Sequence, residues 1–256
     1  MQRLLFNNIP ITSSNKKEIN LFIKNRFNNV ERNGILITFV NTHVFCISQN
    51  DRELQKILNN AEIVLVDGIL IVIAMWITKG IRLRRCIMTE VFDEFIITEN
   101  IPPCKGILIG TTDYEVSMAR EEINKISKKL KIVEAYSGFY PTEYYIEVFK
   151  KHFNTELVLI GLSTPKSEFL CEIAKSICSK AIIWHIGGGT IKMYAGTKKR
   201  APEVMKRYGI EWIHRFYFER HTRKRYFKES ICLLYFFSCK VLRSIANLFK
   251  PQGGVH

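Results

Sequence analysis

Residues Ile63–Ile77 read IVLVDGILIVIAMWI, and the fold turns on how this stretch divides. Ile63–Val66 makes a short buried strand, Asp67-Gly68 a turn, and the remainder an apolar helix. Asp67 is the only charged group in the run. A carboxylate placed there loses much of its hydration, which is costly unless the site uses the charge. In α/β sheets ligands meet the protein at the carboxyl ends of the strands. Aspartate ahead of an apolar run is also a common helix N-cap. This stretch alone supports both a functional carboxylate and a capping one.

Working outward, the same strand–turn–helix unit recurs. Residues 3–12 suggest an edge strand or hairpin interrupted by Pro10, and Ser13-Ser14-Asn15 a cap for a helix over Lys16–Phe27. Gly34–Asn41 (GILITFVN) is the first buried parallel strand, ending in the polar cluster Asn41-Thr42-His43. Asn41 and Thr42 suit ligand hydrogen bonding there, although both also cap helices. Asp51–Asn60 reads as a helix leading into the Asp67 strand. Next come IRLRRC, with three arginines near a predicted surface, and a helix over Val91–Ile97 opened by Thr89-Glu90. Strands over Gly106–Gly110, Lys131–Tyr136, Glu156–Gly161 and Ala181–Ile186 alternate with helices over Ser117–Leu130 and Glu143–His152.

The turns carry the remaining candidates. Gly110-Thr111-Thr112 is a small-residue turn through which backbone N–H groups can approach a phosphate, though many such loops need glycine for geometry alone. Thr164 is placed as an N-cap with Pro165 at the first helical position. Lys166, in the first turn, opposes the helix dipole; it marks a phosphate pocket or a lysine extended into water. Gly187-Gly188-Gly189 allows close backbone approach. The alternation predicts an α/β fold: a Rossmann-like, mostly parallel sheet with helices on both faces and its ligand site along the strands' carboxyl ends.

Composition narrows the function. At 47% hydrophobic over 256 residues, with seven scattered cysteines and no C-x-x-C, the chain suits a reduced cytosolic domain without disulfides or a zinc site. The N-terminus shows no signal peptide. The net charge of +14 is unevenly placed: fourteen Lys/Arg against four Asp/Glu fall between Thr197 and His256, leaving +4 for the rest. The chain therefore divides into an α/β catalytic domain (1–196) and a basic, aromatic-rich helical appendage (197–256) facing an anionic partner or simply solvent. Lys228–Lys250 is a candidate helix with Lys240, Arg243, Ser244, Asn247 and Lys250 on one stripe. It is too short in its apolar run to span a bilayer and suits either the membrane interface or packing on the protein's own core. A non-enzymatic nucleic-acid binder using this tail is the alternative; against it, the aromatics are not arranged as a recognised RNA or DNA module, and it leaves Asp67 unexplained. A nicotinamide-dependent dehydrogenase lacks its G-x-G-x-x-G after the first strand.

The tail then decides. Arg200-Ala201-Pro202, Gly209-Ile210-Glu211-Trp212, Arg215 and Arg225-Tyr226 follow in order Asn41, Asp67-Gly68, Arg85 with Glu90, Gly110, Gly138-Phe139 and Gly161 with Pro165-Lys166-Ser167-Glu168. The set resembles the WecG/TagA/CpsF glycosyltransferases over about residues 35–228. The resemblance implies transfer of an N-acetylhexosamine-type sugar from a UDP-sugar to a polyprenyl-diphosphate-linked sugar at the inner face of the cell membrane. It makes Asp67 the candidate general base, Asn41 a substrate contact, and Arg215 and Arg225 clamps for the diphosphates. Thr42, Gly68, Glu90, Gly110, Phe139, Thr164, Lys166, Gly188, Lys192 and Arg200 complete the expected substrate-binding set. With no D-x-D pair, metal-independent transfer without a cofactor is expected, and nucleic acid is not expected as a partner. The chain departs from the family at Phe39 (usually Thr), Leu70 (commonly Gly), Ser167 (often Gln), Lys192 (usually Asp), Arg220 (usually Pro) and Thr222, where an arginine is expected beside Arg223.

Overall fold

A computed structural model of the protein describes residues 1–29, 33–99, 101–218 and 223–248, leaving aside the side chains at 207, 214, 215, 218 and 239–248. Its centre is a six-stranded sheet of β3 (Ile35–Val40), β4 (Ile63–Val66), β5 (Cys104–Gly110), β6 (Leu130–Tyr136), β7 (Leu157–Gly161) and β8 (Ile182–His185). Every pairing is parallel, and the order is β4-β3-β8-β7-β5-β6. β3, β4, β7 and β8 are buried along their whole length, as strands covered on both faces must be. β8 occupies the middle: Ile182 pairs with Ile35 on one side and Leu157 on the other. The first strands, β1 (Gln2–Phe6) and β2 (Ile9–Ser13), form a separate antiparallel hairpin beside β4, where Thr12 Oγ1 accepts from the Val64 amide at 3.1 Å.

Helices cover the sheet in two groups. α3 (Arg52–Asn60), α7 (Thr142–Lys151) and α8 (Lys166–Ile177) pack together, as do α1 (Lys16–Asn28), α5 (Met88–Ile97), α6 (Asp113–Ile126) and α9 (Gly188–Tyr194). Trp184 on β8, fully buried, sits against Phe92 and Phe95 of α5 with ring centroids 5.5 and 5.3 Å away. Cys86, Cys104, Cys171 and Cys178 are buried in this core, as read from the sequence; burial pushes the Cys86 thiol up to about 12. Among the described residues no helix is long and apolar enough to cross a membrane.

Two local expectations are corrected, and one open alternative is closed. α6 begins at Asp113 rather than Ser117, because Thr112 and Glu115 form a capping box, and Leu130 opens β6 instead of closing the helix. Thr164 does not cap α8; Pro165 holds the cap position, while the Thr164 hydroxyl donates to Glu168 Oε1 at 2.9 Å. Asp67 does not cap α4 (Ile69–Lys79), whose N-cap is Gly68 with no side-chain bond. Asn41 does cap α2 (Thr42–Ser48), its Oδ1 accepting from the Val44 amide at 3.0 Å.

Beyond residue 197 come α10 (Glu203–Tyr208), α11 (Glu211–Phe218) and α12 (Arg223–Leu248), the last starting before the expected Lys228. α12 lies along α2, and Phe236 places its ring 5.5 Å from Phe6 and 5.2 Å from Phe45. One side of α12 thus packs on the protein's own core, whereas Phe227, Ile231, Leu234 and Tyr235 remain exposed. The side chains of the stripe Lys240, Arg243, Ser244, Asn247 and Lys250 lie outside the described residues, as do Arg220 and Thr222.

Candidate functional site

Asp67 follows β4 at the carboxyl edge of the sheet, where its amide donates to the Val40 carbonyl at 3.0 Å. Its side chain does not cap α4 and borders the cavities beside it. The Asp67 carbonyl receives Arg85 Nε at 3.0 Å. The same guanidinium donates through Nη1 to the Lys206 carbonyl at 2.9 Å and pairs through Nη2 with Glu211 at 3.2 Å. One half-buried arginine therefore ties the loop bearing Asp67 to α10 and α11. The sequence placed all three arginines of IRLRRC near the surface; Arg82 and Arg84 are there, but Arg85 is turned inward, its side chain only 15% exposed.

Two cavities meet at this point. The larger, about 460 Å³, is bounded by Asn41, Thr42, Asp67 and Gly68 from the α/β part and by Glu211, Trp212, Phe216, Arg225 and Phe227 from the appendage. The smaller, about 60 Å³, is lined by Asp67, Glu90, Lys198, Lys199, Arg200, Lys206 and Glu211. Asp67 and Glu211 belong to both and form the wall between them. The larger space mixes aromatic rings with a few polar groups, as small-molecule sites do. Cations concentrate in the smaller one.

Arg225 is held in place from the same helix: its Nε lies 3.2 Å from Glu229, which also meets His43 Nδ1 at 3.0 Å across to α2. Arg200 is engaged bidentately by Asp93 at 2.5 and 2.7 Å, a pairing that raises its pKa. The side chain of Arg215 lies outside the described residues. Asp67, Asn41, Thr42, Gly68 and Arg225 are thus brought to one cavity, with Glu90 and Arg200 on its neighbour.

The other candidates stand elsewhere on the carboxyl edge, around β5, β7 and β8. Gly110 has φ +153, and a Cβ on it would lie 2.4 Å from the Gly161 carbonyl oxygen; one on Gly188 would meet the same oxygen at 3.0 Å. These glycines serve close backbone packing. Lys166 is exposed, as one of its two readings had it, and lines neither of these two cavities; its Nζ donates to the carbonyls of Gly138 at 3.0 Å and Tyr140 at 3.2 Å, fastening the loop that carries Phe139. Phe139 is 76% exposed, and Lys192 lies 3.8 Å from Glu115 on the surface.

Between the two groups sits a buried polar cluster. His185, the last residue of β8, has Nδ1 3.2 Å from Thr38 Oγ1 and 3.6 Å from Glu168 Oε1. Phe39 stacks on the imidazole with ring centroids 4.7 Å apart, so the aromatic found where the family usually has threonine packs against the cluster. Burial lowers the His185 pKa, and the Glu168 carboxylate works in the opposite direction.

Sequence reasoning quoted Arg85, Glu211 and Trp212 only as motif letters, named His43 only within the polar cluster that ends the first strand, and passed over Glu229. Glu211 opens a helix, where an acid is expected for the dipole alone, so nothing local marked it as a wall of the site.

Comparison with known proteins agrees with this geometry. A family model described as "Glycosyl transferase WecG/TagA/CpsF family" matches residues 4–247. An N-acetylglucosaminyldiphosphoundecaprenol N-acetyl-beta-D-mannosaminyltransferase of Staphylococcus aureus (strain NCTC 8325 / PS 47) is 24% identical over 194 residues, covering 75% of this chain and 76% of the relative. A protein of the same name from Bacillus subtilis (strain 168) is 24% identical over 216 residues, covering 84% and 83%. The family match spans both the sheet that carries Asp67 and the helices that close the cavity over it, and on that ground the chain belongs to the WecG/TagA/CpsF glycosyltransferase family.

Proposed function

We propose that the protein moves an N-acetylhexosamine-type sugar (N-acetylmannosamine, its uronate or a related sugar) from a UDP-sugar to a polyprenyl-diphosphate-linked sugar in bacterial cell-surface polysaccharide synthesis. The two relatives, whose names specify an undecaprenol-diphosphate sugar acceptor and a beta-D-mannosaminyl group, support this reading. The observation that carries it is the position of Asp67 on the wall shared by two cavities, each with its own cations. Two diphosphate-bearing substrates need two sets of positive groups, one near each reacting end.

In this mechanism the Asp67 carboxylate takes the proton of the acceptor hydroxyl as its oxygen attacks the anomeric carbon from the side opposite UDP. The new glycosidic bond forms as the bond to the β-phosphate oxygen breaks, so the configuration inverts. Charge developing on the leaving diphosphate is met by basic side chains and needs no metal in this scheme. Arg225 on the larger cavity, and Lys198, Lys199, Arg200 and Lys206 on the smaller, supply them. Asn41, whose Oδ1 is committed to capping α2, presents its amide N–H groups to a substrate oxygen. Thr42, Gly68 and Glu90 complete the walls, and the tail holds the protein at the inner face of the cell membrane.

The test is transfer of labelled sugar from a panel of UDP-N-acetylhexosamines and their uronates to short polyprenyl-diphosphate-sugar acceptors. Asp67→Asn should lower turnover by about 10²–10⁴-fold while UDP-sugar binding persists. Near-normal turnover in that variant removes Asp67 as base, and no transfer by the wild type from any donor removes the UDP-sugar reading.

A further inference from the structure

α4 is apolar on every side. Its sequence, ILIVIAMWITK, holds a single charge, Lys79, at its end. Such a helix is ordinarily buried all round or placed in lipid. Here Ile71, Ala74 and Met75 are buried against the sheet, whereas Leu70 (38%), Ile73 (39%), Trp76 (52%) and Ile77 (61%) are exposed. Helical spacing puts these four on one contiguous stripe. At 11 residues the helix is far too short to cross a bilayer, which takes about 20. The outer face needs a cover that does not require a span.

Three observations identify the cover. The stripe begins at Leu70, a wall of the larger cavity, opposite Phe227 of α12. It ends in cations: Lys79, Arg82 and Arg84 are exposed, and the Arg82 guanidinium lies over the Trp76 ring, 5.7 Å from its centroid. A tryptophan beside basic groups at the edge of an apolar surface is the composition of an element seated at the headgroup level of an anionic membrane.

We infer that α4 is a lipid-docking element of the α/β part itself, independent of the tail. Its apolar stripe enters the interface of an anionic bilayer, and Lys79, Arg82 and Arg84 meet the headgroups. The mouth of the larger cavity is then held against the membrane between α4 and α12, so a lipid-linked substrate reaches Asp67 without leaving the bilayer surface. The inference deepens the proposed function but is tested without transfer chemistry.

The experiment is sedimentation of the full chain with phosphatidylglycerol–phosphatidylcholine vesicles. The double variant Trp76→Glu/Ile77→Glu changes two exposed side chains, and its circular dichroism and melting should match the wild type. Its vesicle partition coefficient should fall by roughly tenfold or more. Arg82→Glu/Arg84→Glu should lower binding to phosphatidylglycerol vesicles and leave binding to pure phosphatidylcholine nearly unchanged. Binding that persists in both variants while deletion of residues 228–256 abolishes it overturns the assignment. So does a wild type that sediments as a dimer and a Trp76→Glu/Ile77→Glu variant that sediments as a monomer, because a second copy would then be the cover. A wild type that ignores vesicles yet transfers sugar to a short-chain acceptor defeats this inference and leaves the transferase reading standing.

Discussion

The two halves of the sheet's carboxyl edge make an instructive pair. On the β4–β3 side, Asp67 and Asn41 face a cavity roofed by the appendage, and aromatic and charged side chains meet there. On the β5–β7 side the turns are built from Gly110, Gly161 and Gly188, packed so closely that a Cβ would strike the Gly161 carbonyl from Gly110, the Ile191 side chain from Gly161, and press on the Gly161 carbonyl from Gly188. Both halves present strands ending in small or polar residues, the pattern expected of a ligand site. Only one leaves room beside a carboxylate. Glycine at a strand end marks either close approach of a ligand or close approach of the protein to itself, and here the second use accounts for half of the edge.

Substituting one glycine from each half breaks the comparison most sharply. Gly110→Ala places a Cβ in the Gly161 carbonyl at a φ that L-residues avoid, and should cost about 3 kcal/mol or more, lowering the melting temperature by roughly 10 °C. Gly68→Ala meets Asn41 Cα at a tight 3.2 Å but at an ordinary φ, so it should cost less stability than Gly110→Ala while impairing transfer. Equal melting losses in the two variants would erase the distinction.

Arg85→Ala sharpens it by cutting the tie between the loop bearing Asp67 and the appendage. Transfer should fall about tenfold to hundredfold, because hydrogen bonds to charged groups are lost from Asp67, Lys206 and Glu211 together. Arg85→Lys should recover little, since an ammonium cannot reproduce the three-way fork. Wild-type turnover in the alanine variant would mean the appendage keeps its place without the guanidinium.

The smallest effect belongs to the cluster between the halves. Burial lowers the affinity of folded His185 for a proton, so below about 6.5 the unfolded chain takes up a proton that the folded one resists. The stability this group contributes is complete above that value and drains away as pH falls toward the folded pKa. Urea midpoints of the wild type should drop on acidification, and His185→Gln should flatten that limb. Parallel curves for the two proteins would place the titration elsewhere.

The architecture was legible because parallel strands buried on both faces have to be continuous apolar runs, and GILITFVN, IVLV and AIIWHI have no other use in a chain of this charge. The error at α6 was avoidable: Thr112-x-x-Glu115 is a capping box written in the sequence. Arg85 was not avoidable. Residues 80–87 form neither helix nor strand, so no period distinguishes the arginine that turns inward from its exposed neighbours. The roof of the cavity was half legible: its motif letters were visible, but the depth at which Trp212, Glu211 and Glu229 sit depends on how α11 and α12 fold back, which local sequence does not encode.

The central place of β8 has a consequence for how the molecule is made. It is the last strand in the chain and, at four residues, among the shortest, yet it separates β3 from β7. Without it, β4–β3 and β7–β5–β6 would each present an unpaired strand edge. Ile182–His185 joins the two, pairing with β7 nearby in sequence and with β3 far back in the chain. Pairing between strands so far apart in sequence is the kind of contact that slows folding in general. The same pairing brings His185 beside Thr38, so the site's two sides are put into register by the last strand in the chain.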